Sequence, residues 1–189
     1  MTEPFIEFHI DTSALSRLAS AAPGMTPIVN DEAQWAMKES GMALDPMVQG
    51  ETPSNYGLLR SSIEWPYGFE MDGSTLDKLR GIVGASDKIP KGGGVSTSVY
   101  VDWVENGTRP HWPPSEPIEL WAIRKFGISG KEAKRVSYLI RSFIAYAGTK
   151  GAHMFRNAWN RGGRAKVTRI WEKVLPKALK RWENQVRGK

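Results

Sequence analysis

The stretch from Arg161 to Lys189 constrains this chain more than any other. Val167, Ile170, Trp171, Val174, Ala178, Trp182 and Val186 recur at the spacing of one apolar helix face. At 1.5 Å per residue such a helix runs for about 30 Å. The same stretch holds ten bases against two acids, a charge of +8 in a chain whose net charge is +6, so everything before it sums to −2. A helix of this kind needs a body to cover its apolar side. Its bases suit a phosphate backbone, an acidic neighbour or plain solvent. Pro176 lacks an amide hydrogen and crowds the carbonyl a turn back, which predicts a kink over residues 174–176. At 189 residues the chain suits one domain. The expected division is an α+β domain over 1–160, with the basic helix 161–189 packed on it.

Composition narrows the chemistry. There are no cysteines, which removes disulfide scaffolds, thiol nucleophiles and thiolate zinc sites. His9, His111 and His153 are too scattered to suggest a metal motif. No apolar run approaches the ~18 residues of a membrane span, and the first residues carry acids where a signal peptide carries bases. The expectation is a soluble, unexported protein.

Residues 5–11 alternate, with Ile6, Phe8 and Ile10 on one face and Glu7, His9 and Asp11 on the other, as in a half-buried strand. The polar set is a solvent face rather than a ligand set. Thr12 is placed to cap a short helix ended by Pro23. Thr26-Pro27 opens a second, carrying Ile28, Trp35, Ala36 and Met42 and expected to stop before Pro46. Residues 61–67, 79–86 and 95–104 read as strands, separated by Gly73-Ser74 and by a mobile tip, Lys91-Gly92-Gly93-Gly94. Pro110, Pro113, Pro114 and Pro117 form a stiff connector. Beyond it, Ile118, Trp121, Ala122 and Phe126 mark a helix ended by Gly127. Ser129-Gly130-Lys131-Glu132 resembles a capping box, ahead of a stripe of Ala133, Val136, Ile140, Phe143, Ile144 and Ala147. Ile140, Phe143 and Ile144 are expected to be buried against the sheet. Gly148 ends that helix, and Gly162-Gly163 separates residues 152–160 from the last one.

No nucleophile elbow, zinc-protease or phosphate-loop pattern occurs, and no acid pair has a recognisable catalytic spacing. Gly148-Thr149-Lys150-Gly151 matches the G-x-x-G clamp of a KH module, although a helix-ending turn explains it more simply. The expectation is a protein without enzymatic activity, cofactor or metal.

Three stretches, in order, resemble the tail-completion or head–tail joining (neck) proteins of long-tailed bacteriophages. The first is Pro53-Ser54-Asn55-Tyr56-Gly57-Leu58-Leu59-Arg60-Ser61-Ser62-Ile63, similar to that family's Gly-x-Leu-Arg-x-Ser-Ile pattern after a proline. The second is Tyr100-Val101-Asp102-Trp103-Val104-Glu105-Asn106-Gly107-Thr108, similar to its Val-Glu-x-Gly-Thr ending, followed here by the proline connector and Trp121. The third is Gly148-Thr149-Lys150-Gly151 with Phe155 and Ala158, similar to its Gly-Thr-x-x element before a final helix.

The resemblance implies a small, mostly antiparallel sheet flanked by helices, with a long kinked C-terminal helix. It implies a structural virion protein in the phage neck: a ring of copies, expected as a hexamer, at the head-proximal end of the tail. Its neighbours would be the tail terminator or tail tube and the head-completion or connector proteins, with no membrane partner and assembly in the host cytoplasm. Glu105 and Arg109, with Trp65, Trp103 and Trp112, are candidate subunit or neck contacts. A local pair is the alternative for the two charges and core packing for the tryptophans, the latter favoured for Trp121. Arg169, Lys173, Lys177, Lys180 and Arg181 are candidates for the DNA channel, through non-specific contact with the genome, or for an acidic partner. The rival reading is a stand-alone nucleic-acid-binding domain using the basic helix and the 148–151 loop. A membrane-surface helix built on Trp171 and Trp182 is a weaker third.

Overall fold

The computed structural model describes residues 5–53, 57–64, 69–70, 79–90 and 94–188. It is an α+β fold, mostly helical, with a small antiparallel sheet and a long bent C-terminal helix. The order is β1 (Ile6–Ile10), α1 (Ser13–Ala21), α2 (Met25–Glu51), α3 (Leu58–Ser62), β2 (Ile63–Glu64), β3 (Phe69–Glu70) and β4 (Leu79–Ala85). Then follow α4 (Thr97–Asn106), β5 (Gly107–Thr108), α5 (Ser115–Phe126), α6 (Gly130–Ala147), β6 (Thr149–Lys150), α7 (Met154–Ala158), α8 (Arg164–Trp171) and α9 (Val174–Arg187).

β4 is the centre of the main sheet, antiparallel to β1 through Phe8↔Gly81 and to β2 through Ile63↔Ala85, with β3 also paired to it. The alternation in β1 does what its period requires: Ile6 and Phe8 are buried and His9 faces out. Glu7 pairs with Arg80 on β4 and lies 2.9 Å from His9 Nε2. A Cβ on Gly81 would run into the Phe8 ring and the Met37 sulfur, so any larger residue there must displace those core side chains.

α2 is the axis of the body. Met25, Val29, Ala33, Ala36, Met37, Leu44 and Val48 are fully or almost fully buried along it. It packs on β4 in one direction and on α7, α8 and α9 in others. This explains why the helix does not stop before Pro46, as predicted, but runs on to Glu51. Proline removes one bond, to the carbonyl of Met42 on the exposed side, while the buried stripe continues through Leu44 and Val48. α2 also starts at Met25, just ahead of the predicted Thr26-Pro27 signal, after Gly24 in a left-handed conformation. The cap of α1 is the carboxylate of Asp11, which accepts from Ser13 N at 3.0 Å; the Thr12 side chain makes no cap bond, and its carbonyl accepts from Ser16 N at 2.9 Å.

Two predicted strands are corrected. Residues 61–67 begin as the end of α3, leaving only Ile63–Glu64 as a described strand. Residues 95–104 form most of α4. Thr97, Val101 and Glu105, spaced by four, are all buried, whereas Val95, Val99 and Trp103 are exposed. Ser96 caps the helix through Ser98 N at 3.3 Å, and the Thr97 hydroxyl bonds both the Ser86 carbonyl and Lys88 N. A run rich in β-branched residues is held helical by its cap and its buried face. Gly73-Ser74 and the first three residues of the predicted tip, Lys91, Gly92 and Gly93, lie outside the described residues.

The C-terminal helical stretch, α7 to α9, spans 34 residues and is bent by 21°. Gly162, with a non-helical φ of 136°, kinks it at Trp159–Gly163, where the sequence placed the glycine break. A second irregularity falls at Glu172 and Lys173, between α8 and α9. That is one turn before Pro176, where its ring meets the carbonyl of Glu172. Trp171 Nε1 donates to Ser40 Oγ and Trp182 Nε1 to the Pro23 carbonyl, both at 3.2 Å. The apolar face of the basic helix is therefore covered by the chain's own body from Val167 to Trp182, while Val186 beyond it is exposed. Among the described residues no helix is long and apolar enough to cross a membrane.

Candidate assembly site

The second and third motif stretches meet in space. β5 and β6 pair as Gly107↔Lys150 and Thr108↔Thr149. The two threonines exchange backbone-to-hydroxyl bonds of 3.0 and 3.2 Å, and their hydroxyls lie 2.9 Å apart. A Cβ on Gly107 would collide with the Thr149 carbonyl, on Gly148 with that of Thr108, and on Gly151 with that of Glu105. Gly107 and Gly148 also have positive φ, 81° and 73°. These motif glycines let two backbones close on each other. The 148–151 loop is thus held by the chain itself, with Gly148 N bonded to Ile144 O at 2.8 Å as a helix end.

Glu105 is the key of this clasp. Its side chain is fully buried, and its Oε2 and Oε1 accept from Phe155 N at 3.1 Å and Arg156 N at 3.4 Å. Its carbonyl accepts from His153 N at 3.1 Å, and that of Val104 from Ala152 N at 2.7 Å. The carboxylate caps the first turn of α7 from fifty residues away, where bare amides and the helix dipole favour a negative group. Glu105 is consequently a correction to the candidate interface: it binds the chain to itself and is not at the surface. Arg109 is exposed at the start of the proline connector, and its carbonyl lies 2.9 Å from His111 Nδ1.

Beyond the clasp, α5 and α6 form an antiparallel hairpin that packs chiefly on itself. Here the expected burial of the α6 stripe fails. No residue of α5 or α6 belongs to the main core; Ala122, Ala133 and Ser137 are buried between the two helices. Ile140 and Ile144 are half-buried, while Phe143 is 65% exposed and Tyr146 87%. The reason lies in where the glycine-bracketed clasp releases the chain: α6 faces α5 and never reaches the sheet. The capping-box reading of Ser129 also fails, since its side chain makes no cap bond.

The tryptophans divide. Trp103 and Trp112 are exposed. Trp112 stands edge-on to Tyr138, with the Arg141 guanidinium 4.8 Å from its ring centre and Arg141 Nε bonded to Pro113 O at 2.8 Å. Trp121 is half-buried against Phe126 within the arm. Trp65 lies outside the described residues.

The basic helix also divides. Arg181 forks onto Glu32 at 2.8 Å and Asp31 at 3.1 Å, and these two acids strengthen its hold on its proton. Lys177 sits 3.2 Å above the Trp35 ring. Both are turned to α2, around an open depression that Lys180 and Asn184 also line. The adjacent acids Asp31 and Glu32 were the sequence signal for this pairing, one that a reading of the basic helix alone misses. Arg169, Lys173 and Lys180 are exposed and form no ion pair among the described residues.

Glu7, His9 and Asp11 do not converge on a ligand site, and no metal-holding cluster occurs among the described residues. No family model, curated protein or solved structure matches this chain.

Proposed function

We propose that this chain is a non-enzymatic structural protein of a phage virion, forming a ring at the head-proximal end of the tail that completes the tail and helps join it to the capsid. The carrying observation is the α5–α6 arm. Its outer face exposes Leu139, Phe143 and Tyr146 while the core closes without it. An apolar face of that kind serves a protein whose working state is an assembly. The motif stretches that resemble the neck family support the same reading, because two of them build the clasp from which the arm departs.

In this reading the neighbours are further copies, the tail tube or terminator and the head-completion ring. Arg169, Lys173 and Lys180 then meet an acidic surface of an adjoining ring or line the DNA path. The protein contact is favoured, because a tight basic collar would retard a genome that must leave. Particles made with and without the chain test the proposal. Complete heads and tails that fail to join are expected without it; normal infectious particles would sink it. Replacing Arg169, Lys173 and Lys180 by glutamine separates the two roles. Failed joining marks a protein contact, whereas normal joining with leaking or abnormal ejection marks a channel lining.

The rival, a free nucleic-acid-binding domain, rests on the same three bases. It requires a monomer with strongly salt-dependent affinity for short duplexes.

A further inference from the structure

We propose that the outer face of α6 docks on the outer face of α4 in a second copy of this chain, head to tail. The inference deepens the ring reading and rests on it for closure of the ring. Among the described residues, the two helices that lead into the clasp, α4 and α6, each leave an apolar face bare. One is Leu139, Phe143 and Tyr146 on α6, at helical spacing; the other is Val99 and Trp103, one turn apart on α4, with Val95 exposed just ahead of the helix and Trp103 48% exposed. Both are open in the same folded chain, so neither covers the other within it.

Charge selects the pairing. The arm from Ser115 to Ala147 carries six bases against three acids. Arg135 continues the α6 stripe one turn before Leu139, is exposed, and forms no ion pair among the described residues. α4 carries no base. Asp102, beside Trp103, is its one acid not fully buried, with Oδ1 accepting from Asn106 Nδ2 at 2.7 Å. An α6-on-α6 contact would set two cationic helices together. An α6-on-α4 contact sets Arg135 toward Asp102 and leaves a pair of copies with one free face at each end. Such a heterologous contact propagates from copy to copy and closes into a ring where the rotation allows.

The absence of cysteine from the sequence makes the test clean. Leu139→Cys and Val99→Cys are made in separate full-length chains, then mixed and oxidised. A disulfide-linked dimer is expected from the mixture and none from either variant alone. Both substitutions in one chain should give a ladder of linked oligomers ending at the closed ring. No link in the mixture, or linking by Leu139→Cys alone, overturns the proposal. Charge reversal checks it without covalent chemistry. Arg135→Asp and Asp102→Arg should each lower the sedimenting mass at fixed concentration, and the double variant should restore it; failure to restore it overturns the pairing. The same cysteine variants in particle assembly keep the two readings apart. A ladder from a chain that particles do not need sinks the neck reading and leaves the contact. Necks that fail without the chain, with no ladder, sink the contact and leave the neck.

Discussion

Phe155 and Phe143 stand twelve residues apart, each in a helix beside the same glycine-bracketed clasp, and they have opposite surroundings. Phe155 is almost completely buried among Met37, Leu44 and the other residues of the body's core, while Phe143 stands out from the arm. The body packs a sheet and the C-terminal helices around α2. The arm packs one helix on one other, and two helices cannot cover both faces of each. A helix pair with residual apolar surface is incomplete by its own geometry, whereas the body is complete. That difference places stability in the body and, in the proposed ring, would place association in the arm.

The sharpest way to break this contrast is Phe155→Ala. A large-to-small change at a closed core position should cost about 3–5 kcal/mol, measured by denaturant unfolding of the full chain. A cost near that of a surface substitution would mean the body does not depend on the site where α7 enters it.

Next in size is Glu105→Ala, which leaves the Phe155 and Arg156 amides at the start of α7 without their carboxylate. Bonds to a charged acceptor contribute about 1.5–3 kcal/mol each, and the second bond here is long, so a loss of about 2–4 kcal/mol is expected. Faster amide exchange at Phe155 and Arg156 should accompany it. Unchanged exchange there would place the capping elsewhere and remove the link between body and arm. This residue also shows what was legible in the sequence. The Val-Glu-x-Gly-Thr and Gly-Thr-x-Gly stretches were recognisable as motifs, and Glu105 was singled out, but as a surface contact. Its partners lie fifty residues away, and no local pattern announces a tertiary cap. β1 was legible from alternation, β4 as an extended run set off by turn residues, and the C-terminal helix from its period and Pro176. α4 was not, because its β-branched run suits a strand until Thr97, Val101 and Glu105 are seen buried together. The α6 stripe was legible as amphipathic, but periodicity names a face without saying whether this chain or another covers it.

A smaller effect belongs to the edge of the body's sheet. Arg80 bonded to Glu7, reinforced by His9, holds the Glu7 carboxyl below its ordinary value of 4.5. A group with a lowered folded value adds stability above its unfolded pKa. That contribution is lost as pH falls through the folded value, so it disappears in the acid limb below about pH 4.5. Because the Arg80 side chain is more than a third exposed, screening keeps the effect under about 1 kcal/mol. Glu7→Gln should flatten the acid limb by that amount and leave stability at neutral pH lower by the same small step. An identical acid limb in wild type and variant would assign the shift no part in folding.

The smallest effect on folding is expected where the sequence pattern predicted one of the largest. Phe143→Ala on the arm's outer face should change unfolding free energy by no more than about 0.5 kcal/mol, as surface substitutions do. If it cost several kcal/mol, Phe143 would be packed in the isolated chain and the arm would be part of the body. The same substitution should act on association. Burying a phenylalanine against another copy is worth about 1.5–3 kcal/mol, so its loss should raise the concentration needed for self-association roughly tenfold or more, read by sedimentation at several loadings. Tyr146→Ala, on the same face and more exposed still, should share this signature. Leu175→Ala, at a partly exposed position on α9, should leave association unaltered, because it lies on the body and off both stripes. A full set of three variants with unchanged folding and unchanged association would leave the arm's apolar face without a role. A shift confined to the two arm variants would assign that face to a neighbouring subunit.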